Sequence, residues 1–119
     1  MNGLPIYDES ARKIGYFTFM DRDEKTVLCV KGILDNTING YLILTNKKLF
    51  FYYWSNVNRE NKFIATYPYI SSVKIRSGIL SSTLNIKNRK ETFRISKIKN
   101  RDALNMFKRL MQIIADSSL

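Results

Sequence analysis

The chain has 119 residues and a mass of 14.0 kDa, which suits one domain with a single hydrophobic core. It contains no histidine and one cysteine, so the commonest general base and metal ligand are missing and an internal disulfide is impossible. With 45% hydrophobic residues the chain is too apolar to be disordered, and its net charge is +10. We expect a non-enzymatic protein without cofactor or metal.

The first twenty residues hold more apolar side chains than a solvated tail needs. These side chains are Ile6, Tyr7, Ile14, Tyr16, Phe17, Phe19 and Met20. We therefore predict that residues 1–20 form a short helix or arm packed on the body, and that the main domain spans 21–119.

Four strands are predicted in the first half of that domain. A β-branched, apolar run over 26–34 ends in a turn cluster, and a second strand covers 41–45. A short polar link leads into 49–54, so these two strands must be antiparallel neighbours. The fourth strand, 62–67, ends at Pro68, which cannot donate a hydrogen bond to a sheet.

Three further strands show the two-residue alternation of a sheet with one solvated face. The side chains predicted to point inward are Val73, Ile75, Leu84, Ile86, Phe93 and Ile95, and those predicted to point outward are Lys74, Arg76, Asn85, Lys87, Thr92 and Arg94. Turn signals recur about every 8–12 residues, which is typical of a barrel or sandwich.

The period then changes to that of a helix. Asn100 is a suitable capping residue, and Asp102 lies in the first turn, where the helix dipole favours an acid. One apolar stripe is formed by Ala103, Phe107, Leu110, Met111 and Ile114. We expect this stripe to cover the open end of the barrel.

The hairpin at 40–52, GYLILTNKKLFFY, resembles the corresponding hairpin of bacterial pleckstrin-homology (PH)-like domains of the YokE type and of the related GRAM domains. Residues 69–73 are similar to the segment before the family's fifth strand, and residues 102–110 resemble its closing helix. The resemblance covers about 24–115. It implies a mainly β (α+β) fold: a PH-like seven-stranded antiparallel barrel or sandwich capped by a C-terminal α-helix.

The resemblance also implies a binding or assembly module rather than a catalyst. In eukaryotic relatives, a basic loop between the first two strands holds phosphoinositide headgroups. Here that loop, 34–39, contains Asp35 and no base. Headgroup recognition in that mode is therefore not expected.

Charge is concentrated in the later part of the chain, with a net −1 over residues 1–35 and +11 over 36–119. The candidate anion- or partner-binding residues are Lys74, Arg76, Lys87 and Arg94 on the outward face, with Arg89 and Lys90 at the adjoining turn. Like charges on neighbouring positions of one sheet face repel each other, which favours an anion between them. A solvated face without a ligand is the alternative. No aromatic residue is interleaved with them, which makes nucleic acid the less favoured partner.

The aromatic run at 50–54 gives a second candidate surface. Phe50, Tyr52 and Trp54 alternate to one face of their strand, and a large apolar patch on a soluble protein marks an interface. Either the N-terminal arm or another subunit covers it, and the resemblance implies assembly into rings. The clustered acids of 21–24 are interpreted as a solvated turn, and Cys29 as a core residue.

These observations lead to one hypothesis with two alternatives. The protein is expected to act through protein contacts or self-association, as a homo-oligomer. Peripheral binding to anionic membrane lipid through the basic sheet face is the first alternative, and nucleic-acid binding the second. The lone cysteine fits a reducing compartment, so we expect a cytoplasmic location, peripheral at the membrane under the first alternative.

Overall fold

The structure is a computed structural model, and it describes residues 20–54 and 59–117. The predicted N-terminal arm lies, except for Met20, outside the described residues. The division into an arm and a domain at residue 20 therefore stays a prediction.

Seven strands and one long helix follow one another, as the sequence predicts. The strands are β1 (Thr26–Leu34), β2 (Ile38–Thr45), β3 (Lys48–Trp54), β4 (Arg59–Thr66), β5 (Ile70–Ser77), β6 (Ser82–Asn88) and β7 (Thr92–Ile98), with a 3-10 helix at Tyr67–Tyr69 and α1 at Asn100–Ser117. β2 begins earlier than predicted because Asp35 and Asn36 adopt positive φ angles of 48° and 67°. The resulting turn is tight, so β1 and β2 remain paired up to Leu34 and Ile38.

All seven strands belong to one antiparallel sheet in the order β4-β3-β2-β1-β7-β6-β5. β1 pairs with β2 over its whole length, but it meets β7 only at Ile33 and Leu34. β4 and β5 are the two edges and do not pair, so the sheet is not closed into a barrel. A side-chain bond partly spans this gap, since Asn88 Nδ2 donates to the carbonyl oxygen of Ile64 at 2.7 Å.

The helix covers the main core, as expected, but with a different phase. Ala103, Met106 and Leu110 have no exposed surface, and Phe107 and Ile114 pack against the core from the sides. The prediction was wrong for Met111, which is 45% exposed, and it missed Met106. Successive helical residues point about 100° apart, so a stripe centred on Leu110 turns its neighbour Met111 toward solvent.

A second, smaller cluster lies on the other face of β1, β2 and β3. It is formed by Cys29, Tyr41, Ile43, Phe50 and Tyr52, with Met20 packed against it. These strands are therefore buried on both faces. Strands buried in this way have continuous apolar sequences, which explains why β2 and β3 show no alternation.

Replacing Gly40 by alanine is expected to lower the free energy of unfolding by about 2 kcal/mol, because the added methyl group would overpack the site. A Cβ at Gly40 would lie 2.3 Å from the carbonyl oxygen of Tyr52, which the paired strands hold in place. Urea denaturation measures the loss. Gly32→Ala is the comparison: its Cβ would meet Ile95 Cγ2 at 2.6 Å but the nearest backbone atom, the carbonyl oxygen of Ser96, only at 3.1 Å, so we expect a smaller loss. Equal losses for the two variants would contradict the argument.

Candidate functional site

Four of the six predicted cations share the outer face of β5, β6 and β7, which we call the basic face. Lys74 pairs with Asn85, and Asn85 pairs with Arg94, so these three form one row across the strands. Lys87 lies between Ser72 and Thr92 in the next row, and Arg76 lies beside Thr83. All four cations are exposed.

No two of these cations face each other directly across neighbouring strands. Asn85 separates Lys74 from Arg94, so their backbones are about 10 Å apart, twice the strand spacing. Lys87 is a diagonal neighbour of both, at about 7–8 Å. Only Lys74 and Arg94 are therefore separated by more than the distance between neighbouring strands, and Lys87 lies within diagonal reach of both. The interleaved neutral residues lower the repulsion while leaving every cation accessible to an anion.

The basic face has no counter-ion within the part of the chain that the structure describes. The ion pairs of the described residues lie elsewhere and join Lys47 and Lys48 to acids of the segment before β1. Residues 70–99 contain eight bases and one acid, Glu91. The acid beside the face is Asp35, whose carboxylate accepts from the Arg94 amide at 3.2 Å while its own amide donates to the Arg94 carbonyl at 2.7 Å.

Arg89 and Lys90 lie apart from the other four, at the turn between β6 and β7. The Arg89 guanidinium stacks on the ring of Tyr69, 4.5 Å from its centroid. Together with Phe63, these residues line a cleft of about 400 Å³ between the β4 edge and the turn. The rings of Phe63 and Tyr69 are half exposed there. The structure thus divides the predicted cations between a flat face and a separate aromatic cleft.

The β5–β6 loop presents two aliphatic side chains that were not among the residues predicted to form a site. Ile79 is 97% exposed and Leu80 is 90% exposed. The sequence shows them as two large aliphatic residues between Gly78 and two serines. They interrupt the alternation of apolar and polar residues in the strands on either side. Adjacent exposed apolar side chains form a contiguous patch, whereas singly scattered ones are normal on a protein surface.

The predicted aromatic interface is not a free surface in this chain. Phe50 and Tyr52 are completely buried in the second cluster, and the side chain of Trp54 lies outside the described residues. An interface through these residues would require their cover to move. Their role in assembly stays a prediction.

The acidic segment before β1 is more than the solvated turn expected from the sequence. Asp21 and Asp23 are exposed, but the Glu24 side chain is fully buried. Its carboxylate accepts from Lys48 Nζ at 2.6 Å, from the Asp21 amide at 3.0 Å and from the Thr45 hydroxyl. Burial alone would raise the pKa of Glu24, but these hydrogen bonds outweigh it and lower the pKa.

Metal-binding clusters and membrane-spanning helices are both absent from the described residues. No group of three or more histidine, cysteine, aspartate or glutamate side chains is placed to hold a metal ion in 20–54 and 59–117. Within the same ranges, no helix has the length and apolar character needed to cross a bilayer.

An open seven-stranded antiparallel sheet covered by one C-terminal helix defines a PH-like domain, a class of generally non-catalytic binding modules. The chain belongs to the bacterial PH domain family, whose sequence profile matches residues 20–112. The matched region extends from Met20 through all seven strands into α1. No curated protein matches the chain in sequence.

Proposed function

We propose that the protein is a non-enzymatic, cytoplasmic module that binds the surface of anionic membranes through the basic face. The observation that carries this proposal is the set of four exposed cations on one sheet face without a carboxylate partner among the described residues. Protein contacts were the first hypothesis from the sequence. That hypothesis relied in part on the aromatic run at 50–54, of which Phe50 and Tyr52 are buried.

The arrangement suits a charged surface better than one specific headgroup. Each lysine or arginine near an anionic bilayer contributes about 1 kcal/mol of attraction, so four cations together provide substantial affinity. They are spread over three strands, with neutral polar residues between them. The β1–β2 turn, which holds headgroups in eukaryotic relatives, instead brings Asp35 against the backbone of Arg94.

Neutralising two cations in the central row tests the proposal. Lys74→Gln with Arg94→Gln removes about 2 kcal/mol of attraction, so the affinity for vesicles should fall about 30-fold. The assay is co-sedimentation of the full chain with phosphatidylcholine vesicles containing about one third phosphatidylserine. Binding of the parent protein should also weaken steeply as salt rises from about 0.1 to about 0.5 M, where exposed charges are screened.

The matched control removes the same two charges elsewhere. Lys108 and Arg109 are exposed on α1, which covers the opposite side of the sheet. Lys108→Gln with Arg109→Gln should reduce binding only a fewfold. Equal losses in the two pairs, or equal binding to vesicles of phosphatidylcholine alone, would contradict a role for the basic face.

Protein binding is the second candidate, and the aromatic cleft favours it. Phe63 and Tyr69 expose half of their surface beside the unpaired edge of β4, where another chain could add. Size-exclusion chromatography with light scattering, on the parent protein and on Phe63→Ser, decides whether this surface supports self-association. A monomer at every concentration would exclude self-association through this surface. Nucleic acid is less favoured, because the outward positions of β5, β6 and β7 carry no aromatic side chain on which bases could stack.

A further inference from the structure

The β5–β6 loop exposes two neighbouring aliphatic side chains almost completely. Burial of a leucine or isoleucine side chain stabilises a protein, and Ile79 and Leu80 gain almost none of this stabilisation within this chain. Gly78 and Ser81 flank them in a turn too short to fold the pair back onto the body.

Hydrogen bonds hold the backbone of this loop in place. The Gly78 amide donates to the carbonyl oxygen of Ser81 at 2.8 Å. Asn100, the first residue of α1, donates from Nδ2 to the carbonyl oxygens of Gly78 at 3.2 Å and Ile79 at 3.5 Å. The side-chain oxygen of Asn100 in turn contacts the hydroxyl of Ser82, which is buried. The loop therefore presents its aliphatic pair in a fixed position, and little conformational entropy would be lost on binding.

Cations surround the base of this loop. Arg76 lies on β5 just before it, at the nearest end of the basic face. Lys99 and Arg101 flank Asn100, which binds the loop backbone, and all three cations are exposed. Two aliphatic side chains beside exposed bases complement a bilayer, where hydrocarbon lies beneath anionic headgroups. An apolar protein surface would match the aliphatic pair but not the cations.

We infer that Ile79 and Leu80 insert into the bilayer and anchor the domain, while the basic face supplies the long-range attraction. This inference rests on the proposed function. It adds a salt-resistant component to a binding mode that would otherwise be electrostatic. The two components can be measured separately, because salt screens only one of them.

The first test places an environment-sensitive fluorophore at the loop. Leu80→Cys labelled with a nitrobenzoxadiazole group should shift to shorter wavelength on phosphatidylcholine vesicles with about one third phosphatidylserine. It should also be quenched by nitroxide groups on the lipid acyl chains. The control is the same label at Leu104→Cys, an exposed position on α1, which should show neither change. Cys29 is buried and should not react in the folded protein.

The second test removes the aliphatic surface without changing charge. Ile79→Ser with Leu80→Ser should weaken vesicle binding on the order of tenfold and abolish the binding that remains at about 0.5 M salt. The salt dependence at low ionic strength should be retained. Leu104→Ser with Met111→Ser removes two other exposed hydrophobic side chains and should leave binding unchanged.

The outcomes distinguish the inference from the proposed function. Salt-sensitive binding with an unshifted Leu80 label would overturn the insertion of the loop and leave the basic face in place. No binding of the parent protein to anionic vesicles at low salt would overturn both. A label that shifts with protein concentration in the absence of lipid, together with a dimer that the serine pair dissociates, would assign the loop to self-association and overturn the inference.

Discussion

Replacing Leu110 by alanine should lower the free energy of unfolding by about 3 kcal/mol, the usual loss for a large aliphatic side chain deleted from a packed core. Leu110 has no exposed surface, and it lies with Ala103 and Met106 on the side of α1 that faces the main core. The helix and the sheet cannot close fully over the missing atoms, because both are rigid elements. Urea denaturation followed by circular dichroism measures the change.

Leu104 provides a control with the same chemistry in the same helix. It is 45% exposed, so Leu104→Ala removes less buried surface and leaves no enclosed cavity, and the stability should fall by about 1 kcal/mol or less. Helix propensity is nearly equal in the two variants, since each replaces leucine by alanine. Similar losses at both positions would show that α1 is not seated on the core through Leu110.

The sequence of α1 predicts that a helix forms, but its periodicity leaves open which side of the helix faces the core. The apolar spacing correctly predicts a helix that covers the core through Ala103 and Leu110. It does not fix the rotation of the helix, because the apolar residues between 103 and 114 form a stripe broad enough to centre at either of two positions. The choice of Met106 over Met111 depends on the shape of the opposing sheet, and the sequence of the helix does not contain that shape.

The strands show the same division between local and long-range information. Alternation predicts which residues of β5, β6 and β7 point outward because one face of these strands is solvated. The amino-acid pattern alone therefore places Lys74, Arg76, Lys87 and Arg94 on one face. In β2 and β3 both faces are buried, alternation disappears, and the sequence cannot tell an exposed aromatic residue from a covered one.

Two features could not be predicted because they depend on contacts between distant parts of the chain. Glu24 and Lys48 are 24 residues apart in sequence, and only the completed sheet brings them together. The exposure of Ile79 and Leu80 depends on where α1 begins, because Asn100 holds the backbone of their loop. A local pattern identifies an acid or an aliphatic pair, but it does not show whether that group is buried.

Replacing Glu24 by alanine is expected to be at least as damaging as the loss of Leu110, by about 3–5 kcal/mol, the range for breaking a buried ion pair. The substitution leaves Lys48 Nζ and the Asp21 amide without their acceptor, and it leaves the Thr45 hydroxyl with the Lys48 carbonyl oxygen alone. The Lys48 side chain is only 18% exposed, so water cannot fully replace the carboxylate. Urea denaturation measures the loss, and the double variant Glu24→Ala with Lys48→Ala should be less destabilised than the sum of the two single variants.

The same carboxylate should make stability depend on pH. Its hydrogen bonds hold the pKa of Glu24 below its ordinary value of 4.5, so at acidic pH the unfolded chain binds more protons than the folded one. This contribution is fully present above that ordinary value and is lost as the pH falls through the lower folded value. The free energy of unfolding should therefore fall below about pH 5, and less steeply in Glu24→Gln than in the parent protein.

Asp23 separates this effect from exposed charge. The hydrogen bond from Lys47 also lowers the pKa of Asp23, but this pair is exposed and added salt should weaken it. Asp23→Asn should consequently retain the acid dependence of the parent protein in about 0.5 M salt, whereas Glu24→Gln should still reduce it. Identical pH profiles for the parent and Glu24→Gln would mean that the buried carboxylate does not carry the acid sensitivity. The difference between the two profiles therefore measures how strongly folding lowers the pKa of Glu24.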